Sequence, residues 1–104
     1  MTATKLPMEQ LAQALDKLNQ TTGGGWKLQQ DKLCKGYKFA DFQTAFGFMA
    51  MCALYCEKVN HHPEWSNVYN KVNVELTTHE AAGISEKDLA LAQHMDTVYA
   101  ALAG

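Results

Sequence analysis

The residues whose types and spacing best suit chemistry are Glu57, His61, His62 and His79. Glu57-Lys58-Val59-Asn60-His61-His62-Pro63 places a carboxyl and two imidazoles in one short stretch, and Thr78-His79-Glu80 adds a third imidazole downstream. Imidazole titrates nearest neutrality, so such a cluster points to proton transfer or metal binding. Three readings are open on the residues alone. In the first, His61-His62-Pro63 is only a helix stop whose imidazoles favour the negative end of the helix dipole. His79 is then a solvated turn residue and Asp88 a first-turn acid. In the second, His61, His62 and His79 bind zinc, with Glu57 as a fourth ligand or a base. Adjacent histidines diverge, unlike the pair four apart in HExxH, so the spacing is poor for metal. In the third, two imidazoles share metal-free acid–base work. Elimination of water needs one group to protonate a leaving hydroxyl and another to take the neighbouring proton. Trp65 and Tyr69 would suit a flat heteroaromatic substrate, and would equally suit a core.

The elements that must position these residues follow from periodicity. Pro7 suits the first turn of a helix, and Leu11, Leu15 and Leu18 recur at helical spacing behind it. Thr21-Thr22-Gly23-Gly24-Gly25 ends that helix and reads as a flexible connector. It is no phosphate loop, because no Lys-Ser or Lys-Thr follows it. Alternation from Trp26 to Phe39 predicts a β-hairpin turning at Gln30-Asp31-Lys32, with Tyr37 and Phe39 on one face. Asp41 is an N-cap for a helix running through Glu57 to about Asn60. Phe42, Phe46, Met49 and Ala53 line one side of it, and Ala45, Phe48, Cys52, Tyr55 and Val59 another. A helix apolar nearly all round packs on more than one partner.

Pro63 ends that helix near Asn60 to His62. Glu57 and His61, four apart, are then expected on one face at its last turn, with His62 pointing elsewhere. Trp65, Asn67 and Tyr69 alternate with Ser66 and Val68, and Val72, Val74 and Leu76 follow a turn at Asn70-Lys71. That second hairpin leaves His79 at a strand exit, which strand pairing can return to the end of the central helix. Ala82-Gly83 breaks the chain before Ser85-Glu86-Lys87-Asp88, an N-cap with an acid three residues later. Leu91, Met95, Val98 and Leu102 trace the last helix almost to Gly104. The order α-β-β-α-β-β-α predicts one α+β domain over residues 1–104, a four-stranded antiparallel sheet covered by three helices.

Composition excludes several function classes. Net charge is −2 and the basic residues, all lysines, are scattered, which argues against direct nucleic-acid binding. The longest apolar run, 45–56, falls short of the roughly 20 residues that cross a bilayer. No basic region with an apolar segment opens the chain, so a cytoplasmic location is expected. Cys34, Cys52 and Cys56 form no CxxC pair, and a structural role is expected for all three.

Glu57, three residues, His61-His62-Pro63, five residues, Tyr69, nine residues, His79, eight residues and Asp88 resembles the signature of the pterin-4a-carbinolamine dehydratases. Gly25-Trp26, Phe39 with Phe42, Ala45-Phe46-Gly47-Phe48-Met49, Pro63-Glu64-Trp65, Asn67-Val68-Tyr69-Asn70-Lys71-Val72 and Thr78-His79-Glu80 are similar too. The resemblance spans nearly the whole chain, although residues 29 to 35 follow no family pattern. It implies dehydration of 4a-hydroxytetrahydropterin to quinonoid dihydropterin, recycling tetrahydrobiopterin without metal or organic cofactor. His61 and His79 become the acid–base pair, and His62 a catalytic residue that binds and polarises the ring. Glu57 would hold substrate or tune His61, and Asp88 would orient His79 or cap the last helix. Trp65, Thr77 and Thr78 become pocket lining. The resemblance further implies a homodimer or homotetramer. The animal forms also bind a homeodomain transcription factor and stabilise its dimer, which would add a nuclear location. That non-enzymatic role is the competing function, and a metal hydrolase is a third.

Overall fold

The computed structural model describes residues 4–103, so residues 1–3 and Gly104 of the expected domain lie outside the described residues. The amphipathic stretch after Pro7 forms α1 (Met8–Thr21), with Leu11 and Leu18 facing the core. Pro7 stands as the N-cap, one residue ahead of the first turn. The helix end is closed by Thr22, whose hydroxyl donates to the Leu18 carbonyl at 2.6 Å. Gly23, Gly24 and Gly25 then take φ of 89°, 83° and 101°, a region glycine enters at little cost. Asn19 spans this run: its side-chain amide donates to the Trp26 carbonyl and accepts the Trp26 N–H, both at 3.0 Å. Asn19 thus ties the end of α1 to the start of the first hairpin across the glycine run.

β1 (Lys27–Gln29) and β2 (Lys32–Lys38) form the first hairpin. Its turn is only Gln30-Asp31, at φ 52° and 61°, the left-handed pair of a two-residue turn that matches strand twist. Lys32 accordingly belongs to the strand. α2 (Phe42–Val59) begins where expected, with the Asp41 carboxylate accepting the Thr44 N–H at 2.8 Å. β3 (Glu64–Val68) and β4 (Lys71–Leu76) complete an antiparallel sheet in the order β1-β2-β4-β3. The second turn is Tyr69-Asn70, one residue earlier than expected. Tyr69 leaves the strand alternation at φ 51° and is exposed. Asn67 holds the turn by donating its amide to the carbonyls of Tyr69 and Lys71 at 3.0 and 2.9 Å.

Leu33, Tyr37, Val72, Val74 and Leu76 form the buried face of the sheet. The opposite face carries Lys27, Lys32, Glu64, Asn73 and Glu75 and is open. A 3₁₀ turn (His79–Ala81) leads to α3 (Glu86–Ala103), which buries Leu91, Ala92, Met95 and Val98. Phe48, Leu33, Leu76, Ile84, Leu91 and Met95 are fully buried, each worth about 1.5–3 kcal/mol in transfer from water. α2 turns Ala45, Phe48, Cys52 and Cys56 inward. Val59, expected on that side, is exposed, as are Phe42, Phe46, Met51 and Leu54. All three cysteines are free, and burial pushes the Cys52 thiol up to about 12, which keeps it an inert packing group. Among the described residues no helix is long and apolar enough to cross a membrane.

Candidate active site

The end of α2 sets the site. Asn60 takes the left-handed conformation, φ 55° and ψ 48°, and the N–H groups of Asn60 and His61 both turn back to the Cys56 carbonyl. This closure, followed by Pro63, stops the helix at Val59. His61 consequently leaves the helical line and swings inward to 8% exposure. His62 turns outward, as expected of two imidazoles leaving one terminus in different directions.

The pairing of Glu57 differs from the sequence expectation. Glu57 Oε2 lies 2.5 Å from His62 Nε2, not beside His61. A continuous helix would have stacked residues 57 and 61, but the left-handed Asn60 substitutes His62 into that place. Both partners are exposed.

His61 instead places Nε2 2.6 Å from Asp88 Oδ1. A carboxylate only accepts, so Nε2 carries the hydrogen of that bond. Asp88 is wholly buried, and its Oδ2 accepts from the Thr78 hydroxyl at 2.7 Å and the Ser85 N–H at 2.9 Å. The Ser85 hydroxyl accepts the Lys87 N–H at 3.2 Å, completing a capping box at the start of α3. It also lies 2.6 Å from the Thr78 hydroxyl. Asp88 thus caps the last helix, as one expectation had it, but the imidazole it orients is His61 and not His79. Among the described residues no buried side-chain nitrogen or oxygen lacks a partner.

His79 follows β4 by way of Thr77 and Thr78. Its side chain is 85% exposed, with Nε2 3.3 Å from Glu64 Oε2. The antiparallel pairing of Glu64 with Glu75 brings the start of β3, just after His62-Pro63, beside the exit of β4. The expected return of that strand exit to the end of the central helix is therefore realised through two carboxylates, Glu64 and Asp88. The other Glu64 oxygen accepts from Lys32 at 2.6 Å, and Lys32 is 3.7 Å from Glu75. The Lys32 ammonium holds the Glu64 carboxyl below the usual glutamate range, and the His79 ring adds to that.

Each of the three imidazoles thus has its own carboxylate: His61 with Asp88, His62 with Glu57, His79 with Glu64. The zinc alternative required them to converge, and among the described residues no three His, Cys, Asp or Glu side chains do. Of the expected lining, Trp65 is half-buried and borders an open cleft of about 310 Å³ with Glu64, Ser66, Asn73 and Glu75. The Thr77 hydroxyl donates to the Asp31 carbonyl at 3.3 Å, tying the first hairpin to the site. Tyr69 lies at the opposite end of β3 from Glu64 and is not brought to the histidines. Glu64, Lys32 and the second role of Ser85 escaped sequence reasoning. The Glu64–Glu75 pairing, and the link of both to Lys32, needed the register and strand order of the sheet.

The fold is a two-layer α+β domain, and at one end of its sheet three histidines each lie against a separate carboxylate. The family model described as pterin 4 alpha carbinolamine dehydratase matches residues 4–98, and the chain belongs to that family, whose enzymes are hydro-lyases. It is 50% identical over 93 residues to a protein of Prochlorococcus marinus (strain MIT 9303) provisionally named pterin-4-alpha-carbinolamine dehydratase, covering 89% of this chain and 92% of that one. A Sinorhizobium fredii protein with the same provisional name is 47% identical over 98 residues, covering 92% and 89% respectively. A solved structure described as a transcriptional coactivator/pterin dehydratase from Brucella melitensis superposes with a TM-score of 0.83 at 42% identity, covering 97% of this chain and 100% of that chain.

Proposed function

We propose that this protein dehydrates 4a-hydroxytetrahydropterin to quinonoid dihydropterin and water, recycling tetrahydrobiopterin by metal-free acid–base catalysis. The observation that carries the reading is the set of three histidines each held by a separate carboxylate. A carboxylate on one ring nitrogen fixes the orientation and tautomer of an imidazole and stabilises its protonated form as the proton moves. With Nε2 on Asp88, His61 has Nδ1 for substrate. His79, exposed at the sheet edge, is the second member of the pair. One imidazolium protonates the 4a hydroxyl as the C4a–O bond breaks with its electrons on oxygen, releasing water. The other imidazole takes the N5 proton, and the freed pair forms the N5=C4a double bond. No electron is exchanged with any other reactant. His62, steadied by Glu57, binds and polarises the ring, while Trp65, Thr77 and Thr78 border the substrate. The enzyme works in the cytoplasm in this reading.

A second role is favoured by a separate observation, the exposed apolar side of α2 formed by Phe42, Phe46, Met51 and Leu54. It suits association with further copies, as a homodimer or homotetramer, or with a transcription-factor partner in the nucleus. The Brucella relative's description joins coactivator and dehydratase in one protein.

The test of the enzymatic reading is the decay of chemically generated 4a-hydroxytetrahydropterin, followed by rapid-mixing ultraviolet absorbance. The native protein accelerates it, and His61→Ala or His79→Ala lowers the rate by about 10²–10⁴-fold, the usual contribution of a general acid or base. No acceleration by folded native protein would leave the interaction role in front.

A further inference from the structure

We infer that Glu64, anchored by Lys32 across the open face of the sheet, is the positioning residue for His79. The inference rests on the dehydratase reading and adds two residues to it. His79 sits on a short 3₁₀ turn and is 85% exposed, so its backbone and packing leave the ring free to rotate. A proton-transfer group must be held within hydrogen-bond reach of its target. Glu64 supplies the restraint from the side of the other histidines, since it begins β3 directly after His61-His62-Pro63. Its Oε2 faces His79 Nε2 at 3.3 Å while its Oε1 is held by Lys32 at 2.6 Å.

Glu64 is itself steadied from two directions. Its backbone is fixed by pairing with Glu75 in β4, and its carboxylate by an ammonium that reaches across β4 from β2. Glu75, 3.7 Å from the same ammonium, keeps Lys32 centred over the strand between them. The first hairpin, whose residues 29 to 35 follow no family pattern, thereby contributes a residue to the site. A carboxylate on Nε2 leaves the opposite nitrogen, Nδ1, to meet substrate. The lowered Glu64 carboxyl fits this geometry, because Lys32 and His79 both favour its charged form.

The experiment combines steady-state dehydration kinetics with the carbon-13 titration of the Glu64 carboxyl. Glu64→Ala lowers kcat about two- to fivefold with KM changed less than about twofold, the scale of a restraint set by one exposed ion pair. Lys32→Gln gives a smaller fall in the same direction. In the native protein the Glu64 carboxyl titrates below the usual glutamate range; it moves up in Lys32→Gln and by less in His79→Ala. Glu64 is partly exposed and on an open face, so the variants fold, and their spectra report it directly. An unaltered kcat in Glu64→Ala, or a Glu64 titration indifferent to His79→Ala, would overturn the role while leaving the dehydratase reading intact. An inactive native protein would sink that reading and the role together.

Discussion

At the residue scale, Asp88 is the group on which the most depends. One buried carboxylate satisfies the His61 ring, the Thr78 hydroxyl and the Ser85 N–H. Asp88→Ala strands all three donors, and leaving buried partners unpaired costs about 3–5 kcal/mol when a charge is involved. Asp88→Asn keeps the shape but removes the anion facing His61, so the loss falls mainly on catalysis, about 10- to 100-fold in kcat. Urea unfolding beside rapid-mixing assays separates the two effects. His94 gives a different prediction. It stacks on Tyr55 with ring centres 3.9 Å apart and planes 11° apart, and burial lowers it from its ordinary value of 6.5. The unfolded chain therefore binds that proton more readily than the folded one, so stability declines as pH falls through about 6.5. His94→Gln should flatten this part of the pH–stability curve measured by urea unfolding.

At the scale of elements, α3 carries a second buried carboxylate, Asp96, two turns beyond Asp88. Asp96 accepts from Trp26 Nε1 at 2.8 Å, Lys35 Nζ at 2.7 Å and the Tyr37 hydroxyl at 2.5 Å. Lys35 also lies over the rings of Trp26 and Tyr37. Burial, and then the bond to Asp96, hold the Tyr37 hydroxyl well above the usual tyrosine range, so it stays a donor. This node fastens α3 to the first hairpin, as Asp88 fastens it to the end of α2. Asp96→Ala leaves the ammonium of Lys35 buried without its anion and is expected to destabilise by about 3–5 kcal/mol. Because no histidine is touched, folded Asp96→Ala protein should keep its kcat at low temperature. Loss of activity without loss of stability would contradict this division of labour.

At the scale of the whole molecule, the apolar residues on the outer side of α2 are the feature a monomer leaves unexplained. Contiguous exposed apolar surface of this kind marks association sites in soluble proteins. Light scattering of the native protein at micromolar concentration should give a mass above that of one chain. Phe46→Glu with Leu54→Glu should reduce it, since each buries a charge in the contact. A native mass of one chain would remove the homo-oligomer and leave a different partner to cover that face.

Much of the fold was legible in advance because periodicity and capping are local. Val72, Val74 and Leu76 alternate, Asp41 and Ser85 cap, and Pro63 stops a helix, all by interactions within a few residues. The candidate site was legible as a set of residue types, His61, His62, His79, Asp88 and Glu57, for the same reason. Its pairings were not. Whether Glu57 meets His61 or His62 turns on one left-handed residue, Asn60. Whether Asp88 meets His61 or His79, and whether Glu64 and Lys32 reach His79, turns on strand order and on how α3 docks. Local patterns in the sequence carry the main elements, their order and most residues of the candidate site, though not Glu64 or Lys32. Only the tertiary structure decided which carboxylate holds which imidazole, because those contacts join residues distant in the chain and no local propensity encodes them.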